Sequence, residues 1–125
     1  MTRGFLLTAA FVMLAGPALA QVQFTDKCAA PIAPVVPDGK TAAVPQLTQA
    51  ANDVKNYIKA SDDYQQCLLA EITTYETQAK GTKQGIDSNI RKTLEAKGDT
   101  NQKDKERLGA AYNKAVGDYR AAHPK

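Results

Sequence analysis

An all-α fold, a long antiparallel two-helix hairpin with an N-terminal proline-rich arm tied to helix 1 by a disulfide, is what this sequence predicts. Three observations carry the prediction. Apolar residues recur at three-and-four spacing through two long stretches that Gly81 and Gly85 separate. Prolines fall at every third position, Pro31, Pro34 and Pro37. Two cysteines follow an export signal, Cys28 in the arm and Cys67 in the first helical stretch. The 125 residues allow one domain at most.

Residues 1–20 read as a secretory signal peptide. Arg3 supplies the positive start, Phe5 to Ala15 is the apolar stretch, and Gly16-Pro17 breaks it. Ala18-Leu19-Ala20 presents small residues where the peptidase reads, so cleavage is expected after Ala20. The mature chain then begins at Gln21 and is periplasmic or secreted. The apolar stretch is too short to cross a bilayer core of about 30 Å, and no later segment is long and apolar enough to do so. In an oxidising compartment two cysteines are most simply one structural disulfide. Their separation of 39 residues is far from the C-x-x-C spacing that tunes redox thiols. Closing such a loop is worth roughly 3.5–4 kcal/mol in the chain-entropy picture.

The arm, 21–43, carries no helical signal and ends in the turn Pro37-Asp38-Gly39. Prolines every third residue fit polyproline II, which has three residues per turn. The prolines then line one face, with Ile32 and Val35 on another. Sixteen or so such residues reach back along a helix from its start to Cys67. The arm is expected to cover the stripe of Tyr57, Tyr64 and Cys67, with Phe24 extending the contact.

The hairpin is expected as a helix over about 44–80, a turn over about 81–86 and a helix over about 87–121. Pro45 suits a first turn, where a missing N–H costs little. The first seam runs Leu47, Ala51, Val54, Ile58, Ser61, Gln65, Leu68, Ile72, Tyr75, Ala79. Gly81 is the expected stop, and Asp87 or Ser88 the next cap. The second seam runs Ile86 or Ile90, Leu94, Gly98, Asn101, Lys105, Leu108, Tyr112, Ala115, Tyr119, with Gly98-Asp99 as a place where it could break. Folding back near Lys83 pairs position numbers that add to about 166. Leu47 then meets Tyr119, Val54 meets Tyr112, Ile58 meets Leu108 and Ile72 meets Leu94. The polar seam residues meet as well, Ser61 with Lys105 and Gln65 with Asn101. Val, Leu, Ile and Phe make up only about 16% of the mature chain, so two helices need the arm to complete a core.

Chemistry is sparse. Sixteen basic residues face thirteen acidic ones. Without Arg3 the balance is +2, which points away from nucleic acid. His123, the one imidazole, sits in the C-terminal tail beside Pro124. There is no phosphate-binding glycine loop and no haem motif. Asp62-Asp63 point about 100° apart on a helix, so they make no acid–base pair. No catalytic residue, metal site or cofactor is expected. The run Asn101 to Arg107 reads as a solvated face with local ion pairs. Ser61, Gln65, Asn101 and Lys105, with Tyr57, Tyr64 and Tyr112, form a possible interaction face. The same residues can instead be register layers and core. Gly109 and Gly117 lie inside the second helix and mark places where the arm or another chain comes close.

Pro37-Asp38-Gly39, Tyr57, Asp63-Tyr64-Gln65-Gln66-Cys67-Leu68, Asn101-Gln102 and Tyr112-Asn113 together resemble a group of small, uncharacterised exported helical proteins of proteobacteria. That resemblance implies an exported helical protein with a cysteine pair, and brings no activity. The expected function is therefore an exported, non-enzymatic structural or protein-interaction module. Its partner would be an unknown envelope protein or a second copy of itself. The alternative is a binder of an envelope component such as peptidoglycan or anionic lipid.

Overall fold

A computed structural model describes residues 26–82 and 87–125. Residues 1–25, with the expected signal peptide, Gln21 and Phe24, and residues 83–86, with Lys83, Gly85 and Ile86 of the expected turn, lie outside the described residues. Two helices, α1 (Val44–Gly81) and α2 (Ser88–Ala122), pack antiparallel. At 1.5 Å per residue they are roughly 57 and 53 Å long.

Local chemistry sets their ends. Pro45 lies in the first turn of α1, and the Gln46 side chain accepts a hydrogen bond from the Ala43 N–H at 2.7 Å. At the far end the helix stops at Gly81, as expected, but the capping groups are not the glycine's. Thr82 supplies them: its N–H and its hydroxyl both donate to the Gln78 carbonyl. Of the two candidate caps for α2, Asp87 is used, accepting from the Asn89 N–H at 2.9 Å. α2 runs unbroken through Gly98-Asp99. A glycine inside a helix costs about 1 kcal/mol against alanine. At Gly98 an added Cβ would make only an ordinary contact with Leu68 Cδ1 at 3.9 Å, so packing within the hairpin does not require the glycine.

Three apolar clusters string along the hairpin. Tyr64, Leu68, Ile72 and Leu94 gather toward the turn, joined by Cys28 and Ile90. Val54, Tyr57 and Leu108 follow, with Val36 and Tyr112 against them. Ala42, Leu47 and Ala115 close the open end, with Val36 and Tyr119. Leu47 with Tyr119, Val54 with Tyr112 and Ile72 with Leu94 thus share clusters as the pairing requires.

The seam of α1 departs from expectation at two places. Ile58 was expected against Leu108, but it is 37% exposed and Tyr57 packs on Leu108 instead. Likewise Ala50, not Ala51, is buried. The physical reason is the arm. A helix contacted by α2 alone buries a stripe centred on α2. A helix contacted also by the arm buries an arc turned toward the arm, which takes in Ala50, Tyr57 and Tyr64.

The arm joins α1 through the Cys28–Cys67 disulfide, with Cα atoms 5.8 Å apart. From there it follows the groove between the helices toward their open end. Cys28, Pro31, Pro34 and Pro37 are half-buried, while Ala29, Ile32, Val35 and Asp38 are exposed. This repeat of three is the one a polyproline II chain presents. Val36 breaks it by turning inward onto two clusters.

The arm ends in a tight turn. The Asp38 carbonyl accepts from the Thr41 and Ala42 N–H groups, and its carboxylate accepts from the Lys40 N–H at 3.0 Å. This turn presses Gly39 onto α2. A Cβ at Gly39 would fall 1.8 Å from the Ala115 carbonyl oxygen. The arm's close approach is therefore made by Gly39, and not at Gly109 or Gly117, where a Cβ meets nothing within 4 Å. Because the obstacle is helix backbone, Gly39→Ala is expected to lower stability by about 1–3 kcal/mol. Urea unfolding of the variant against the parent checks it, with an unchanged midpoint as the contrary result.

Candidate interaction surfaces

The residues singled out as a possible interaction face divide into two groups. Ser61, Asn101, Tyr57 and Tyr64 are buried. Gln65, Lys105 and Tyr112 are half-buried at the edges of the helix contact.

Ser61 and Asn101 form a polar layer between the cluster of Tyr64 and Leu68 and that of Val54 and Leu108. The Asn101 amide donates to Ser61 Oγ at 3.2 Å and its oxygen accepts from Gln65 Nε2 at 3.0 Å. Gln65 thus meets Asn101 as the level predicts. Ser61 meets Asn101 rather than Lys105, because Lys105 instead swings outward to Asp62 at 2.5 Å. Among the described residues no buried side-chain polar atom lacks a hydrogen bond. This layer behaves as a register device: sliding one helix past the other would strand its amides, at about 1–3 kcal/mol for each unsatisfied group.

The tyrosines are likewise used internally. Tyr64 shares a shallow depression with Ala30 and Pro31 of the arm. Tyr119 stacks with His123, ring centroids 4.3 Å apart. His123 is therefore held rather than loose, with Nδ1 3.0 Å from the Tyr119 carbonyl oxygen. It is exposed. Among the described residues no three His, Cys, Asp or Glu side chains converge as a metal site requires.

Charged residues pair locally. Asp104 bonds Arg107 at 2.7 Å, and Arg91 bridges Glu76 and Glu95 at 2.6 and 2.7 Å. Asp26 reaches farthest along the sequence: it ties the start of the arm to Lys97 on α2. Its carboxylate is only 8% exposed, and it also accepts from the Cys28 N–H. The hydrogen bond from Lys97 holds the Asp26 carboxyl below its ordinary range, burial opposing it, and the same bond raises Lys97.

The two sides of the helix contact differ. The arm runs along one groove, with depressions of about 420 and 480 Å³ left between it and α2. The opposite groove is open over about 310 Å³, lined by Gln65, Leu69, Ile72, Gly98 and Gln102. Leu69 is 64% exposed there. Leu69, Asp26 and Val36 are the residues that sequence reasoning passed over. The signal for Leu69 was available, an aliphatic residue lying off the seam beside Leu68. Asp26 offered none, since its partner is 71 residues away.

No family model, curated protein or solved structure matches the chain.

The Asp26–Lys97 contact predicts a pH dependence. A carboxyl with a lowered folded pKa adds stability above its unfolded value, about 3.9, and loses it as pH falls through the lowered folded value. The stability gap between the parent and Asp26→Asn should therefore be level from about pH 5 to 9 and close below about pH 4. Urea unfolding across pH reads it; a gap that persists unchanged at low pH contradicts the contact.

Proposed function

We propose that this protein is an exported, non-enzymatic structural or protein-interaction module, working in the periplasm or outside the cell after removal of residues 1–20. The single observation that supports the reading is the one-sided hairpin. Its arm runs along one groove, while the other keeps Leu69 and Ile58 toward solvent. Within the two helices, past the terminal Val44, Leu69 and Ile58 are the large aliphatic side chains left exposed, and their place on one open face favours a partner there. The Cys28–Cys67 bond suits an oxidising compartment. No helix among the described residues is long and apolar enough to cross a membrane.

The test is affinity capture from an envelope extract with the exported, oxidised, tagged protein, beside a Leu69→Lys/Ile58→Lys variant. The expected result is a protein, the chain's own untagged copy included, retained by the parent and lost with the variant. Retention of nothing specific, own copy included, overturns the reading. Bulk sedimentation with isolated envelopes, equal in the variant and abolished by salt, would place the protein among binders of peptidoglycan or anionic lipid instead.

A further inference from the structure

The open groove has a pattern that names its occupant. On α1 the residues Ile58, Asp62, Gln65 and Leu69 follow three-and-four spacing and share one stripe. On α2 the stripe facing the same side is Gly98, Gln102, Lys105 and Gly109. Two contacts fix their levels: Lys105 bonds Asp62 at 2.5 Å, and Gln65 bonds Gln102 at 3.4 Å. One turn beyond these, in either direction, a large aliphatic residue of α1 stands level with a glycine of α2. Leu69 is level with Gly98, and both line the groove. Ile58 is level with Gly109.

The hairpin itself does not ask for those glycines. A Cβ at Gly109 would meet nothing within 4 Å, and one at Gly98 would make only an ordinary contact with Leu68 Cδ1 at 3.9 Å. Both positions nevertheless carry the residue that, after proline, is least suited to a helix interior. Gly117 lies off this stripe, and nothing in the structure explains it.

We infer that the open groove is filled by a second copy of this chain, related by a twofold axis parallel to the helices. This rests on the interaction-module reading and gives that module its partner. A rotation about that axis keeps every level and sets each α1 against the partner's α2, antiparallel. Leu69 then enters the space above the partner's Gly98, and Ile58 the space above the partner's Gly109. Asp62 faces the partner's Lys105, so the intrachain pair becomes a closed square of alternating charge, with Gln65 and the partner's Gln102 beside it. A twofold perpendicular to the helices, centred on the same level, would instead place Asp62 against Asp62 and Lys105 against Lys105. Charge complementarity selects the first arrangement. The product is a four-helix bundle in which every helix has antiparallel neighbours, with the two arms on its outer faces. The face is about 50 Å long and two helices, about 20 Å, wide. Partial coverage of it reaches the roughly 800 Å² per partner of a stable interface.

The experiment is light scattering coupled to size exclusion on the exported, oxidised protein at about 100 µM, a concentration that populates even a weak dimer. Cross-linking supplies the geometry: separately made Leu69→Cys and Gly98→Cys chains are mixed and joined by a short bismaleimide. The expected mass is twice that of one chain, falling to one chain in Leu69→Lys while helical circular dichroism is retained. Cross-links should form between the two kinds of chain and not within Leu69→Cys alone. A parent that stays a single chain, a dimer untouched by both Leu69→Lys and Ile58→Lys, or cross-linking of Leu69→Cys to itself each overturns the inference. A monomer that still captures a different protein through Leu69 removes the second copy and leaves the interaction module standing; a monomer that captures nothing removes both.

Discussion

Two helices packed side by side bury only the line along which they touch, and each pair leaves a groove on either side of that line. The Cys28–Cys67 bond decides which groove the arm takes. It anchors the arm beside the cluster of Tyr64, Leu68, Ile72 and Leu94, and Gly39 pins its other end against the backbone of α2. Between these two points the chain has little choice of path. Its three-residue repeat turns prolines to the groove and Ile32 and Val35 to solvent. The arc of α1 that is buried, and hence the exposure of Ile58 and Leu69, follows from this one covalent constraint.

Register is the second consequence. A hairpin whose seam were apolar throughout could slide by one heptad at little cost. Ser61, Asn101 and Gln65 interrupt it with hydrogen bonds that only one level satisfies. Asp62–Lys105 and Arg91–Glu76 repeat the same level at the solvent edge. Exposed pairs of this kind add a few tenths of a kcal/mol each, so their value is alignment more than stability. Alignment is what sets Leu69 level with Gly98 and Ile58 with Gly109, and a self-complementary face depends on it.

The helices, their antiparallel pairing and the disulfide were legible because each leaves a local or periodic mark: three-and-four spacing, Asp87 as a cap, two cysteines after a leader. The level of Gln65 with Asn101 was legible too, since a hairpin's pairing is fixed by its turn. What could not be read was the exact arc buried. Shifting it from Ala51 and Ile58 to Ala50 and Tyr57 takes the mass of the arm on one side, a long-range effect with no sequence period. The exchange of partners at Ser61 and Lys105 has a different, local origin. A lysine's long stem lets its charge leave a seam position for water and Asp62, while Asn101 is short enough to stay and bond Ser61. The functional face was legible only in part. The polar seam drew attention to itself, yet its centre is interior; the open groove is marked by Leu69, Gly98 and Gly109, whose shared level appears only once the helices are paired.

The central claim is that the arm is a packed layer of the core and not a loose tether. Tyrosine nitration of the oxidised protein, mapped by peptide mass and compared with a Cys28→Ser/Cys67→Ser variant, tests it most directly, because Tyr57 and Tyr64 are buried on the side the arm covers. The packed arm predicts that Tyr57 and Tyr64 stay unmodified in the oxidised protein while half-exposed tyrosines such as Tyr119 react, and that both become reactive when the bond is removed. Nitration of Tyr57 and Tyr64 at the rate of Tyr119 in the oxidised protein would contradict the account.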